Sequence, residues 1–192
     1  MNYTNNAAHI GDDFSIGHFN VLGRDVSIGE NVTIGNSCTI YDRTTISNHA
    51  FIGSNIVVGM DCRIGKHAEI SCGCLIDDGV SVGSYSQLSL GEKVFEDVLP
   101  FAQVKDGKIV GANIEAIAEN AKEWGIEDVE DMQAEAWKLI EHLATHPRGY
   151  KEYAQKQLRR SQTISDGMVI QIICEFALAE RNGKGLVKAS PL

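Results

Sequence analysis

The stretch Ile28-Gly29-Glu30-Asn31-Val32-Thr33-Ile34-Gly35 contains one copy of the unit that decides the fold. An aliphatic residue followed by glycine returns after six positions, and the same interval continues in both directions along the chain. Because the spacing keeps one phase throughout, it predicts a repeat architecture. The fifteen aliphatic positions are Ile10, Ile16, Leu22, Ile28, Ile34, Ile40, Ile46, Ile52, Val58, Ile64, Ile70, Ile76, Val82, Leu88 and Val94.

A period of six is neither the 3.6 of a helix nor the two of a simple strand, and it combines a short strand with a turn. We expect two side chains of each hexad to point inward: the aliphatic residue and a mostly small or apolar residue four positions later, such as Val26, Ala50 or Cys62. The Gly- and Asx-rich residues between them should turn the corner, because positive φ is cheap for Gly and tolerable for Asn and Asp.

Three hexads should close one triangular coil, and stacked coils should form three parallel sheets with about 4.8 Å between neighbouring strands. Each coil would bury its inward residues only against its neighbours. The alternative is a β-sandwich, a fold that seldom keeps one phase over such a length. The sequence therefore predicts a mostly β protein built on a parallel β-helix.

Charge and composition exclude several classes of partner. The 192 residues carry a formal net charge of −9, so we expect neither nucleic acid nor an anionic membrane surface as a partner. No apolar run reaches the roughly 20 residues that cross a bilayer. The polar start at residues 1–6 lacks the pattern of a secretion signal, so we expect a cytoplasmic protein.

The five cysteines form no C-x-x-C pair and are odd in number, which favours reduced thiols. Cys72 and Cys74, with His67 nearby in sequence, leave a metal site as an alternative. We expect no bound metal.

The second half of the chain has a different periodicity. The hexads stop near Val94, and a turn is expected at Lys105-Asp106-Gly107-Lys108. From Ile114 onward apolar residues follow helical spacing, for example Met132, Ala136 and Leu139. We therefore predict a β-helix domain over residues 1–112 and a C-terminal helical domain over residues 113–192.

The repeat resembles the hexapeptide-repeat, left-handed β-helix family. That resemblance implies a left-handed coil, a homotrimer and, in many members, acyl transfer from acyl-coenzyme A or acyl carrier protein. Other members are γ-type carbonic anhydrases or inert scaffolds. The junction Asp97-Val98-Leu99-Pro100-Phe101, followed by Gly111-Ala112-Asn113-Ile114-Glu115, is most similar to the branch of UDP-N-acetylglucosamine O-acyltransferases and their sugar N-acyltransferase relatives.

Carrying over that branch's functional residues gives a mixed result. Asn113 and Glu115 match its pattern, but its general-base histidine falls on Asp42, and its two consecutive arginines fall on Glu119 and Asn120. A shifted alignment would place His18 at the base position, at the cost of a gap longer than one coil in an unbroken repeat.

Acyl transfer needs a base near the nucleophile, and histidine is the usual one because its pKa is near neutral. His49 and His67 are eighteen residues apart in equivalent positions, so they should stack on adjacent coils, with Asn31 below and Tyr85 above. The resemblance implies that this corner faces the Asp42 corner of a neighbouring subunit. We predict His49, or alternatively His67, as the base, oriented by Asp42 or Asp61. The expected substrate-binding residues are Asp61, Asp78, Asn113 and Glu115.

Two functions remain open at this stage. One is an acyltransferase acting on a sugar or nucleotide-sugar-like acceptor, which the match at Asn113 and Glu115 favours. The other is a non-catalytic trimeric scaffold or degenerate homologue, which the replaced histidine and arginines favour. A γ-carbonic-anhydrase zinc site would need three histidines, and only two lie in suitable positions. Both histidines could also be solvated turn residues.

Overall fold

The computed structural model describes residues 2–4, 9–113, 115–116 and 119. This part of the chain is a succession of short strands, with helical backbone at residues 115, 116 and 119. The strands are β1 (Tyr3–Thr4), β2 (His9–Ile10), β3 (Ser15–Ile16), β4 (Val21–Leu22), β5 (Ser27–Ile28), β6 (Thr33–Ile34), β7 (Thr39–Ile40), β8 (Thr45–Ile46), β9 (Phe51–Ile52), β10 (Val57–Val58), β11 (Arg63–Ile64), β12 (Glu69–Ile70), β13 (Leu75–Ile76), β14 (Ser81–Val82), β15 (Gln87–Leu88), β16 (Lys93–Val94), β17 (Ala102–Lys105) and β18 (Lys108–Ala112).

Every third strand pairs with its neighbours in one of three sheets, which form the three faces of a triangular coil. Sheet A has the order β1-β4-β7-β10-β13-β16, sheet B β14-β11-β8-β5-β2, and sheet C β18-β17-β15-β12-β9-β6-β3. From β1 to β16 all pairings are parallel, with partners eighteen residues apart, as in Val57↔Leu75 and Arg63↔Ser81. The parallel β-helix expected from the repeat is confirmed.

The interior contains the two side chains per hexad that the sequence predicts. The aliphatic residues from Leu22 to Val94 are buried, and so are the residues four positions after them, including Val32 and Ala68. Thr44 and the cysteines of this second set donate hydrogen bonds to backbone carbonyls of the next coil. Thr44 Oγ1 donates to the Gly59 carbonyl at 2.8 Å, and Cys38 Sγ lies 3.0 Å from the Gly53 carbonyl.

The glycine that follows nine of the fifteen aliphatic residues has a different role from the one expected. Its φ is not positive; instead, the next coil lies too close for a side chain. A Cβ on Gly65 would meet the Ser84 nitrogen and lie 2.7 Å from the Gly83 carbonyl carbon. Backbone atoms cannot yield at such a contact, so close approach of the coils selects glycine here.

Positive φ occurs two residues later in the turn, and the residues there are mostly not glycine. Asp, Asn, His and aromatic residues adopt this conformation, for example Asp61 at 57° and His49 at 62°. Asp and Asn tolerate it because their short polar side chains bond locally. The corner is thus made by the third residue after the aliphatic one.

The coil ends in a shortened turn and a hairpin. Val98 bridges to Val82 and Gln103 pairs with Gln87, both sixteen residues apart, so the last coil is two residues shorter than the others. β17 and β18 are antiparallel around Asp106 and Gly107, whose φ values of 53° and 68° fit a tight hairpin turn. The turn expected at residues 105–108 is confirmed.

The helical segments expected after Ile114 lie outside the described residues, apart from positions 115, 116 and 119. The division at residues 112 and 113 therefore stays a prediction. Among the described residues, no helix has the length and apolar character to cross a membrane.

Replacing Gly65 by Ala should lower the melting temperature, because the new Cβ would overlap backbone of the next coil. Overpacking of this kind costs about 1–3 kcal/mol. Gly79→Asn is the matched control, since Gly79 has φ of 73° and open space around its Cβ position, and Asp61 occupies the same place one coil below. Equal stability of the two variants in thermal unfolding would contradict the close-approach explanation.

Candidate functional site

The three corners of the coil differ in the side chains that they present. The A–B corner consists of the turns that follow sheet A, at residues 23–26, 41–44, 59–62 and 77–80. The B–C corner consists of the turns that follow sheet B, at residues 29–32, 47–50, 65–68 and 83–86. The C–A corner consists of the turns that follow sheet C, including residues 17–20, 71–74 and 89–92. Equivalent positions repeat along each corner, once per coil.

The B–C corner carries a column of four parallel rings. The rings of His49 and His67 are stacked with centroids 4.6 Å apart at 9°, which confirms the predicted stacking. Tyr85 continues the column at 4.9 Å from His67, and Phe101 follows at 5.1 Å from Tyr85. All four residues have positive φ. The repeat of the coil thus matches the separation at which parallel rings stack.

Burial increases along this column toward its C-terminal end. His49 is exposed, His67 and Tyr85 are half-buried, and Phe101 is fully buried. Burial lowers the pKa of His67, and the neighbouring His49 imidazole and Lys66 ammonium lower it further, while Glu119 acts in the opposite direction. The neutral imidazole of His67 is therefore the favoured form.

His49 ends the column with one ring face covered by His67. Its backbone N–H donates to the Glu30 carbonyl at 2.8 Å. No residue that the structure describes forms a hydrogen bond or an ion pair with its imidazole. The imidazole nitrogens of His49 are thus available to a ligand at this corner.

The chain leaves the coil at the same corner through Asn113. Its N–H donates to the Phe101 carbonyl at 2.7 Å, and its Nδ2 donates to the Tyr85 carbonyl at 2.9 Å. Its Oδ1 accepts from the Ala116 N–H at 3.3 Å, the hydrogen bond of a helix N-cap. The predicted substrate ligand Asn113 therefore links the Ala116 N–H to the Tyr85 carbonyl, while Glu115 is exposed.

The carboxylate of Asp42 has two partners from the preceding coil. Its Oδ1 accepts from the Arg24 N–H at 2.8 Å, and its Oδ2 lies 2.8 Å from Arg24 Nη2. The Arg24 backbone N–H and then its guanidinium hold the pKa of Asp42 below its usual range. Asn36 and Asn48 accept the same backbone hydrogen bond at equivalent positions of their coils. The backbone hydrogen bond that Asp42 accepts is thus a recurrent feature of the coil, whereas its ion pair with Arg24 is additional.

Two further predicted aspartates also lie on the A–B corner. Asp61 forms a bidentate ion pair with Arg43 at 2.7 and 2.6 Å, and that guanidinium lowers its pKa. Asp78 Oδ1 accepts from the Met60 N–H at 2.7 Å. Each carboxylate already has a partner within its own chain.

The predicted site residues therefore separate into two groups within one chain. His49, His67, Asn113 and Glu115 are associated with the B–C corner, whereas Asp42, Asp61 and Asp78 lie on the A–B corner. The pairing of the two corners between subunits stays a prediction.

Four of the five cysteines lie among the described residues: Cys38, Cys62, Cys72 and Cys74. Among the described residues, no group of three or more His, Cys, Asp or Glu side chains could hold a metal ion. Cys74 is buried, and burial raises the pKa of its thiol. Cys72 is exposed, and its Sγ accepts from the Ser54 N–H at 3.2 Å.

Sequence reasoning missed two features of this corner. Phe101 completes the ring column only because the last coil is two residues short, and uninterrupted counting puts Gln103 there instead. The capping role of Asn113 was also missed, although an Asn before a helical pattern is a recognisable signal.

Comparison with known proteins gives a match to one family model, which covers the coil. A family model described as the GMPPB C-terminal domain matches residues 2–114. No curated protein matches the sequence.

Several solved structures are similar in fold. The UDP-N-acetylglucosamine acyltransferase LpxA from Bacteroides fragilis has a TM-score of 0.53 at 14% identity, over 97% of this chain and 98% of that one. GDP-perosamine N-acetyltransferase from Caulobacter crescentus, with CoA and GDP-perosamine, has a TM-score of 0.47 at 18% identity. That match covers 58% of this chain and 57% of the perosamine enzyme.

Replacing His67 by Phe should make stability less sensitive to acid. The folded pKa of His67 lies below the ordinary value of about 6.5. The unfolded chain therefore binds more protons in that window, and stability falls as pH drops through it. The melting temperature of the wild type should fall more between about pH 7.5 and about pH 5 than that of His67→Phe. His18→Phe is the control, because it removes an exposed histidine outside the column. Its melting temperature should fall between the two pH values as much as that of the wild type. An equally large fall in His67→Phe would contradict the argument.

Proposed function

Since this chain belongs to the family of the GMPPB C-terminal domain, a hexapeptide-repeat coil, we propose that it is an acyltransferase that works at the B–C corner. The donor would be acyl-coenzyme A or acyl carrier protein, and the acceptor a sugar or nucleotide sugar. The observation that supports this most directly is the exposed imidazole of His49, at the end of the ring column, whose nitrogens have no hydrogen-bond or ion-pair partner among the described residues. The UDP-N-acetylglucosamine acyltransferase and the perosamine N-acetyltransferase share only the fold with this chain, and they suggest the substrate class.

In the proposed reaction, a neutral His49 nitrogen accepts a proton from the acceptor hydroxyl or amine. The acceptor oxygen or nitrogen then bonds to the acyl carbon as the carbon–sulfur bond breaks. The leaving thiolate takes up the proton, so the imidazole returns to its neutral form. General-base catalysis of this kind typically contributes about 10²–10⁴-fold to the rate.

The column would fix the position of the base. Stacking on His67 restricts rotation of the His49 ring, and the buried Phe101 anchors the far end of the column. A base held in one orientation loses little freedom when the acceptor binds. Asn113 would act as a positioning residue, because it links Ala116 to the Tyr85 backbone of the column, and the exposed Glu115 would contact the acceptor.

His49→Ala should reduce turnover by about 100-fold or more if His49 is the base. The measurement is thiol release from acetyl-coenzyme A with a panel of amino and hydroxyl sugars and their nucleotide derivatives. His18→Ala is the matched control, because it removes an exposed histidine from the C–A corner and should leave turnover unchanged. Wild-type turnover in His49→Ala would reject His49, and loss in His18→Ala would favour the shifted alignment.

Asp42→Asn should retain both the fold and the activity. Asn36 and Asn48 accept the same backbone hydrogen bond at equivalent positions, so only the ion pair with Arg24 is lost. Exposed ion pairs contribute little to stability, so the melting temperature should change little. A loss of turnover near that of His49→Ala, with an unchanged melting temperature, would instead make Asp42 a catalytic residue.

The non-catalytic scaffold remains the second candidate, because the position that aligns with the family's base is occupied by an aspartate with structural partners. Thermal-shift measurements with coenzyme A, acyl-coenzyme A and nucleotide sugars separate the two functions, since a ligand of the native state raises the melting temperature. Stabilisation by donor and acceptor supports the enzyme. Absence of any shift, together with no thiol release, supports the scaffold.

A further inference from the structure

The described part of the coil contains three arginines, and one of them has no carboxylate partner there. Arg24 pairs with Asp42, and Arg43 pairs with Asp61. Arg63 is exposed on the outer face of sheet B, and no described residue forms a hydrogen bond or an ion pair with its guanidinium. The chain has 26 acidic and 17 basic residues, so an arginine without an acidic neighbour needs an explanation.

A second cation, Lys66, follows in the same coil at the B–C corner. Its side chain is exposed, and no described carboxylate forms an ion pair with its ammonium group. Burial and the His49 imidazole lower the pKa of His67, and the Lys66 ammonium lowers it further, so this charge acts on the ring column. Only the buried Ile64 and a glycine lie between Arg63 and this lysine, so no exposed side chain separates the two cations.

Hydroxyl groups lie on both sides of Arg63 along sheet B. Arg63 pairs in register with Thr45 of the coil below and with Ser81 of the coil above. Neither hydroxyl has a hydrogen-bond partner among the described residues. On sheet C the equivalent positions of these coils carry Glu69 and Gln87, which bond to each other at 3.1 Å. Sheet B therefore presents guanidinium, ammonium and hydroxyl donors together, and these are the groups that bind phosphoryl oxygens in proteins.

We propose that Arg63 and Lys66 bind a phosphoryl group of the acceptor on the outer face of sheet B, beside the ring column. The proposal rests on the acyltransferase function proposed above, and it narrows the acceptor to a sugar that carries a phosphoryl group, such as a nucleotide sugar. The planar guanidinium of Arg63 would bind two phosphoryl oxygens as a fork, and the ammonium of Lys66 would add a point charge.

The position of the two cations favours the acceptor over the donor as the source of the phosphoryl group. Arg63 lies one coil above Thr45 and His49, which is about 4.8 Å along the axis. In a nucleotide sugar the diphosphate is bonded directly to the sugar ring, so a phosphoryl group at Arg63 places that ring near the His49 imidazole. In coenzyme A the whole pantetheine arm separates the phosphates from the thioester.

Acidic side chains occupy the other direction along the B–C corner. Asp13 and Glu30 are exposed in the two coils below His49, and like charge disfavours a phosphoryl group beside them. Glu119 acts on the pKa of His67 in the opposite direction from burial, but it forms no ion pair with Lys66. The ligand would therefore extend from His49 toward the C-terminal end of the described coil.

Charge removal at and away from this site tests the proposal. Arg63→Gln and Lys66→Gln each remove one positive charge from the proposed site. Lys93→Gln is the matched control, because Lys93 is exposed at the equivalent position of the repeat on sheet A. Melting temperatures establish that each variant is folded. Isothermal titration calorimetry with UDP and GDP measures binding of a diphosphate group, with coenzyme A as the donor's phosphoryl-bearing probe and uridine and guanosine as probes without phosphate.

UDP or GDP should bind the wild type and Lys93→Gln with equal affinity, and should bind Arg63→Gln and Lys66→Gln about 10-fold or more weakly, because a charge-assisted hydrogen bond is lost. Uridine and guanosine should not distinguish the wild type from the variants. Failure of both diphosphates to bind the wild type, or equal affinity for Arg63→Gln, would overturn the proposal.

A loss of affinity confined to coenzyme A would also overturn it, because the phosphoryl group at Arg63 would then belong to the donor. These titrations need no turnover, so the proposal and the acyltransferase function can fail separately. A chain that binds UDP or GDP through Arg63 but releases no thiol would keep the phosphoryl site and lose the proposed reaction. A chain that releases thiol, with equal diphosphate affinity in Arg63→Gln, would keep the reaction and lose the site.

Discussion

Backbone hydrogen bonds between successive coils hold each residue directly beside the residue eighteen positions earlier. The Gly65 N–H donates to the Val82 carbonyl at 2.8 Å, and the Tyr85 N–H donates to the Lys66 carbonyl at 2.8 Å. Strands of two residues cannot shift register without moving every side chain to the wrong face. The rest of the structure depends on this constraint, because it places equivalent residues of successive coils in the same surroundings.

The constraint assigns a structural role to particular turn positions. The second residue after each aliphatic one often supplies an acceptor to the coil below, as Asp42, Ser54 and Ser84 do. The third residue bears the positive φ, and its side chain projects from the corner where it meets its equivalents. Identical positions can therefore carry an ion pair on one corner and stacked rings on another, and the coil is the same in both.

Outward strand positions are free of this constraint. Val57 and Arg63 are equivalent in the repeat, and both leave the interior unchanged. The faces can therefore differ in chemical character while the coil stays the same.

The sequence alone determined the coil, its three sheets, its interior and the stacking of His49 on His67. It could do so because a strict period fixes neighbours without any knowledge of long-range contacts. It did not determine why glycine follows the aliphatic residue, which depends on the distance between coils, or the position of Phe101, which depends on a two-residue shortening. Only the tertiary structure decided that Asp42 and Asn113 already have backbone partners. Those properties arise from contacts between residues of different coils, and the spacing of residues along the chain does not predict them.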